Sequence, residues 1–541
     1  MLDWRIGQAR IIDGSGTPWF RGDVGIRDGR IVAIGDLKGA RATRELDAGD
    51  RCLAPGFIDA HTHSDFSLPT FPRGESRISQ GVTTEVGGNC GFAPFPVDPD
   101  RLDLLRDSSS FIASSLSWEW RSAADFLRHL ESKPLSLNFI PLVAHGAVRV
   151  AVMGFDRRPP SAAEMERMQA LVAEAMEAGA AGISSGLAYA PGIFAATEEL
   201  VELCRVVARY GGIYATHMRD QEAGLLDSVE ESLRVGREAG VPVQISHHKA
   251  MGEAYWGRVK DSLARVDDAR AAGQDVTLDV YPYTAVSTTV TRFLPAWTME
   301  GGVGALLDRL RTPGLRAQIV QEASADRSVK WGNVLVAAVR KPEHAACEGM
   351  TLEALGKAHG KPPLEAAADL IVADGAPFPI IRFIMAEEDV QYVLRHPAVM
   401  IGSDGYAMSP ALGSKPHPRS YGTFTRVLGE YVRERRVLSL EEAVRKMTAF
   451  PAARFGLWDR GLIRPGQVAD LVLFDAETIR DIATFTDPHQ YSAGVEWVMV
   501  GGQMVWREGK DTGALTGQVL RAGGAELASG RMRIANCEFR I

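Results

Sequence analysis

Two rhythms of apolar residues divide the chain. Near the start, apolar positions fall in short runs cut by turn residues, as in "RIGQARIIDG", "GDVGIRDGR" and "RIVAIGD". The stretch "IRDGRIVAIG" sets Asp-Gly between two such runs, which predicts a β-hairpin. The same idiom returns at the far end, where "ADLVLFDAE" and "VEWVMVGGQMVWREG" are apolar strands broken by Gly-Gly and Glu-Gly turns. Two β-rich pieces around one long middle segment predict a small β-sandwich built from both chain termini, residues 1–53 and 461–541, the second including a tail.

Residues 54–460 follow the other rhythm, short apolar strands alternating with amphipathic helices, the pattern of a parallel α/β fold. The predicted strands are "CLAPGFIDAH", "GVTTEVGGN", "LNFIPLVAH", "AAGISSGL", "GGIYATHM", "VPVQISHH", "DVTLDVYPY" and "AVMIGSDG". Helical stretches such as "SAAEMERMQALVAEAMEAG" and "ATEELVELCRVVARYGG" carry an apolar stripe at 3–4 spacing and end in glycine. Eight strand–helix units in series predict a (β/α)8 TIM-type barrel. About 100 residues, roughly 288–385, separate the seventh strand from the eighth, too many for a plain loop, and predict an inserted lobe beside the barrel mouth.

Composition narrows the function classes. With 541 residues, 45% hydrophobic, 24% charged and a formal charge of −8, the chain is an ordinary globular sequence with no mark of nucleic-acid binding. No run approaches the ~20 apolar residues needed to span a bilayer, so no membrane partner is expected. The opening "MLDWRIGQARIIDG" lacks the apolar core of a signal peptide, and the cytoplasm is the expected location. Five scattered cysteines without CxxC spacing encode neither a disulfide framework nor a zinc finger. Cys204 reads as a buried helix residue. Cys90, between glycines in "VGGNCGFAPFP", is open to four readings: small core residue, nucleophile, disulfide partner or metal ligand.

In a (β/α)8 barrel the chemistry sits at the C-terminal ends of the strands. The first predicted strand ends in His61-Thr62-His63 followed by Ser64-Asp65, and the second in Asn89-Cys90. The fifth ends in His217, the sixth in His247-His248-Lys249, the seventh in Tyr281 and the eighth in Ser403-Asp404-Gly405. Imidazole, thiol and carboxylate are the ligands of Zn²⁺ or a similar borderline metal. In a strand, side chains two apart share a face, so both histidines of an HxH pair can reach one ion. Alone the pair is a weak signal; joined to histidines at two later strand ends and an aspartate at the last, it is strong. His129, His344, His359, His396 and His489 fall in helices or loops and take no role here.

The stretch "APGFIDAHTHSD", the later strand-end histidines and "IGSDG" resemble the amidohydrolase superfamily. The likeness is closer to its D-aminoacylase branch, the N-acyl-D-amino-acid deacylases. It is carried in order by "GVTTEVGGNCGFAP", "GISSGLAYAPG", "YATHMRDQ", "ISHHKAMG", "DVYPYTA", "IGSDG", "PHPRSYGTFTRVLG" and "RPGQVADLVLFD". The resemblance implies hydrolysis of an N-acyl-D-amino acid, a small-molecule partner, to a carboxylate and a free D-amino acid. It makes Cys90 a metal ligand where many amidohydrolases bridge two metals with a carboxylated lysine. Cys90, His217 and His247 would hold one Zn²⁺ tightly, while His61, His63 and Asp404 would form a second, weaker site or line the first. Asp404 would be the general base; Lys249, Tyr281, Arg419 and Tyr189 would grip the α-carboxylate.

By the same resemblance Met385 lines the side-chain pocket, and Ala188 is small where a relative carries an aromatic. Arg382 stands where relatives with apolar substrates carry a large uncharged residue; it would favour an acidic side chain or be a surface arginine. Two other readings stand beside this one. A cyclic-amide hydrolase of the hydantoinase or dihydroorotase kind usually has the bridging lysine, against "GNCG" here. A catalytically silent metal-binding scaffold would lack a ligand or the strand-eight aspartate, and neither is missing. Nothing in the sequence sets the oligomeric state.

Overall fold

In the computed structural model the described residues are 1–110, 112, 116–325, 328–410 and 414–522. The tail from residue 523, with Cys537, lies outside them. The N-terminal runs form Leu2–Ile11 (β1), Phe20–Arg27 (β2), Arg30–Gly35 (β3), Ala42–Asp47 (β4) and Cys52–Pro55 (β5). β1 pairs antiparallel with β2 and parallel with β4 and β5. β2 turns back into β3 through Asp28 and Gly29, both at positive φ, as a two-residue turn matched to strand twist requires.

The middle segment builds parallel strands. Phe57–Asp59 (β6), Val82–Gly87 (β7) and Asn138–Pro141 (β8) pair in that order. Val143–Ala144 (β9) continues β8 past Leu142 and starts a second parallel run through Gly182–Gly186 (β10), Ile213–His217 (β11), Val243–Ile245 (β12) and Val276–Val280 (β13). Ala285–Thr289 (β14), Val334–Val336 (β15) and Pro379–Phe383 (β16) then form a separate antiparallel sheet, with β16 central. Its neighbouring helices bury Leu306, Leu310, Leu355 and Ile371 in a core of their own. Val399–Ile401 (β17) returns to pair with β13. Its outer side meets β6, where Ala60 N donates to Ile401 O at 3.4 Å and Thr62 bridges Gly405 in parallel.

The strands of this run are buried on both faces, which explains continuous sequences such as "VTLDV" and "VMI" instead of strict alternation. Helices Ala162–Glu177, Thr197–Arg209, Leu225–Ala239 and Val259–Ala271 cover them. Ser161 and Glu164 make a reciprocal capping box at the first of these, and Gly240 ends the third in the left-handed region. Because the strands are parallel, their C-terminal ends gather on one side. Beneath that side the fully buried Arg77 bonds Asp59, Glu85 (2.6 Å) and Ser403 (2.9 Å), tying β6, β7 and the turn after β17 together.

The C-terminal runs form Leu471–Phe474 (β18), Val495–Val500 (β19), Gln503–Arg507 (β20) and Lys510–Asp511 (β21). They join the first strands in one nine-stranded sheet, ordered β21-β20-β19-β18-β5-β1-β2-β3, with β4 beside β1. Ile6, Val24, Ile31, Leu53, Leu471 and Met499 form its core. Among the described residues no helix is long and apolar enough to cross a membrane.

Candidate metal centre and active site

Four ligand atoms, from His61, Cys90, His247 and Asp404, lie within 4.8 Å of one another at the C-terminal ends of the parallel strands. Cys90 Sγ is 3.2 Å from His61 Nε2 and 3.4 Å from His247 Nε2. Asp404 Oδ1 is 3.5 Å from His61 Nε2 and 3.1 Å from His63 Nε2. The His217 ring centroid lies 4.4 Å from that of His247, and both His217 and Cys90 line the same cavity. Two ligands about 2.0 and 2.3 Å from a common tetrahedral ion sit about 3.5 Å apart, so these spacings fit zinc. The donor set of soft sulfur, imidazole and carboxylate fits it as well. His248 turns away and bonds Ser262 Oγ at 2.8 Å.

Electrostatics favours the ligand forms of Cys90, Asp404 and His217, whereas the His61 and His63 pKa values are raised despite burial, His61 by Cys90 and Asp279 and His63 to about 9 by Asp404 and Cys90. Burial alone would raise the Cys90 pKa, but His61 and His247, with bonds from His217 and His247, hold the thiol well below its ordinary range. Burial likewise acts against ionised Asp404, and the Arg419 guanidinium with the His63, His247 and His61 imidazoles overrides it. His217 is lowered to about 3 by burial and by His247, so its imidazole is neutral.

Backbone strain marks the same residues. Cys90, His247 and Asp404 adopt φ of 55°, 36° and 53°, a region that costs non-glycine residues free energy and persists where the surroundings hold it in place. The glycines beside Cys90 allow that conformation and a close backbone approach. A Cβ on Gly186 would lie 1.9 Å from Cys90 O, and one on Gly91 2.7 Å from Gly186 N. Gly186→Ala is therefore expected to displace the Cys90 turn, lowering zinc content at equilibrium dialysis and destabilising the fold by about 1–3 kcal/mol. Unchanged zinc content and melting temperature would show that the contact yields freely.

Supporting contacts come from Asp279, Gln221 and His417, which lie within "DVYPYTA", "YATHMRDQ" and "PHPRSYGTFTRVLG" but take no role from the strand-end pattern. Asp279 Oδ1 accepts the backbone N–H of His247 at 2.7 Å, holding that turn in place, and lies 3.3 Å from His61 Nδ1. Gln221 bridges His247 Nδ1 and Lys249 Nζ at 3.3 Å each. His417 Nδ1 accepts the Arg419 N–H at 3.0 Å, fixing the start of the helix that carries Arg419.

The expected substrate-facing residues surround this group. Lys249 Nζ and the Arg419 guanidinium each lie 5.1 Å from the Tyr281 ring centroid. Arg419 Nη1 also contacts Asp404 Oδ2 at 2.7 Å. Burial lowers the Lys249 pKa to about 7. Tyr189 packs 4.7 Å from the His217 ring and its hydroxyl meets Thr288 Oγ1 at 3.0 Å. A cavity of about 340 Å³ opens from His63, Cys90, His217, Asp404 and Arg419 toward Phe71, Phe92 and Phe378. A narrower side chamber runs past Lys249 and Tyr281 to Ala188, Met218, Met251 and Arg382. Met385 is buried, its N–H donating to Thr284 O at 3.1 Å; it lines neither space.

Fold and site together define an α/β protein with a candidate metal-binding group at its parallel strand ends. The sequence profile of the amidohydrolase family matches residues 44–506. A D-aminoacylase of Alcaligenes xylosoxydans xylosoxydans is 39% identical over 524 residues, covering 96% of this chain and 97% of the relative. A D-aminoacylase structure, described for the role of its binuclear metal centre, superposes with a TM-score of 0.82 at 39% identity over 96% of this chain and 100% of its own. An N-acyl-D-glutamate deacylase from Bordetella bronchiseptica, complexed with zinc and a phosphonate mimic of the tetrahedral intermediate, also scores 0.82, at 36% identity and the same coverage. This chain belongs to the amidohydrolase family, in its D-aminoacylase branch. Its fold is the amidohydrolase type of the TIM-barrel superfamily.

Proposed function

We propose that this chain is a zinc-dependent amide hydrolase that removes the acyl group from N-acyl-D-amino acids, releasing a carboxylate and a free D-amino acid. One juxtaposition carries the reading: a Cys–His–His–Asp ligand group touches an arginine and shares a chamber with a lysine, both suited to a substrate carboxylate. Zinc held by Cys90, His217 and His247 supplies Lewis acidity toward an amide carbonyl and acidifies water. His61, His63 and Asp404 make a second, weaker metal site.

Asp404 is the general base: it takes the proton of the attacking water and passes it to the departing nitrogen. Lys249, Tyr281, Tyr189 and Arg419 hold the α-carboxylate. Arg419 spends one donor on Asp404 and keeps the rest of its fork for the substrate. The acyl group fits the larger cavity and the amino-acid side chain the side chamber; we keep Met385 as a support behind that chamber. A free α-carboxylate and Cys90 in place of a bridging lysine favour linear over cyclic amides.

The eight parallel segments within residues 54–460 are read as a closed (β/α)8 barrel, about 288–385 as its inserted lobe, and 1–53 with the described part of 461–541 as one small sandwich. The test of function is amine release by zinc-loaded protein from matched N-acetyl-D- and N-acetyl-L-amino acids. Turnover confined to the D members is expected; equal rates on both series, or none on either, would reject the reading.

A further inference from the structure

One buried guanidinium reaches four of the segments that carry the candidate machinery. Arg77 lies in the short helix Glu75–Ile78, and its donors fan out from there. Nε donates to Glu85 Oε1 at 2.6 Å, on β7, the strand that leads to Cys90. Nη2 donates to Asp59 and to Ser403 Oγ, the latter at 2.9 Å. Nη1 donates to Ser420 O at 3.0 Å. Asp59 stands two residues before His61, Ser403 directly before Asp404, and Ser420 directly after Arg419.

These contacts are passed on to the neighbouring functional residues. Asp59 Oδ1 accepts the backbone N–H groups of His61 at 3.2 Å and Ser403 at 2.8 Å. Ser403 Oγ also accepts the Gly405 N–H at 3.0 Å, so the turn is held on both sides of Asp404, whose φ is 53°. The Arg419 end has a second tie. Gln80, also fully buried, donates from Nε2 to Ser420 O at 3.0 Å and accepts the Phe424 N–H on Oε1 at 3.2 Å. One amide thus grips both members of an i,i+4 step in the helix Arg419–Arg426, whose first residue is the carboxylate anchor.

Resting on the deacylase reading, we infer that Arg77 is a positioning residue that fixes the general base and the carboxylate anchor relative to each other. Asp404 and Arg419 come from different turns and meet at 2.7 Å. A substrate with its α-carboxylate on Arg419 and its scissile amide beside Asp404 needs that spacing held tightly, because small misplacements of reacting groups are costly. The planar fork of an arginine can serve several acceptors in fixed directions; an ammonium on a flexible stem is a point charge and cannot. Ser403 belongs to the Asp404 arm of this hub and Gln80 to the Arg419 arm. The two arms can therefore be cut separately.

The experiment measures kcat, KM, zinc per chain and melting temperature for wild type, Ser403→Ala, Gln80→Met and Arg77→Lys. The substrate is the N-acetyl-D-amino acid that wild type turns over fastest. Ser403→Ala is expected to lower kcat about 10-fold with KM nearly unchanged, and Gln80→Met to raise KM about 10-fold with kcat nearly unchanged. Arg77→Lys keeps a positive charge beside Asp59 and Glu85 and is expected to do both, losing about 10- to 100-fold in kcat/KM at full zinc content. A hub that only holds the fold together would lower the melting temperature without this split. Folded, zinc-loaded Arg77→Lys with wild-type kcat and KM would overturn the inference. So would Ser403→Ala and Gln80→Met proteins that change kcat and KM in one common pattern, or in neither constant. Should Arg77→Lys fail to fold, the two single-arm variants decide: a split supports the inference and its absence overturns it. No turnover of any N-acetyl-D-amino acid by wild type would defeat the deacylase reading, and this inference with it.

Discussion

Cys90→Ala is expected to leave a folded protein that no longer retains zinc through dialysis and has lost at least about 100-fold in kcat/KM. Changes to groups that merely orient a metal ligand cost about 10- to 100-fold in affinity or activity, and removal of a ligand exceeds that. Cys90 Sγ is the atom on which His61 Nε2 and His247 Nε2 converge. Without the thiolate, the two imidazoles of the four-residue group share one buried space with Asp404 as the group's one anion. Zinc content by elemental analysis and kcat/KM on the best substrate decide the matter, with circular dichroism as the folding control. Full zinc and full turnover in Cys90→Ala would return this residue to the role of a small core thiol.

Asp404→Asn is expected to lower kcat by roughly 10²- to 10⁴-fold, the contribution of a positioned general base. Asparagine keeps the shape and its amide oxygen can still face Arg419, but it cannot accept a proton from water. The surrounding guanidinium and imidazoles already hold the carboxylate ionised despite burial, so the base form is present throughout the neutral range. Zinc content measured on the same preparation separates loss of the base from loss of metal. A variant that keeps its kcat would exclude Asp404 from proton transfer.

Much of this architecture was legible in the sequence because polar residues interrupt apolar strands at their ends. His61, Cys90, His217, His247 and Asp404 each close a run whose apolar rhythm is plain, and the parallel fold brings such ends together. The supporting residues carry no such signal. Asp279 sits inside the strand "VTLDV", where a lone acid reads as an interruption. Gln221 and His417 lie in loops, and their partners are set by contacts between distant turns. The tight grouping of His61, and not His217, with Cys90, His247 and Asp404 depends on β17 meeting β6, a long-range pairing that local periodicity does not encode. The length of the inserted segment announced a lobe, but its antiparallel sheet on a central β16 did not follow from that length.

The nine-stranded sheet has a consequence for biosynthesis. β5 pairs on one side with β1 and on the other with β18, where Leu53 faces Leu473. A ribosome adding ~5–20 residues per second leaves that second edge open for on the order of half a minute before its partner emerges. An apolar strand edge waiting so long is a template for pairing with another nascent chain. His61 follows that strand closely, whereas Asp404 arrives late, so the metal site cannot mature until most of the polypeptide has been made. Yield of active enzyme should thus respond to translation pauses, premature termination within β18–β21 and chaperone supply more sharply than the stability of the finished protein does.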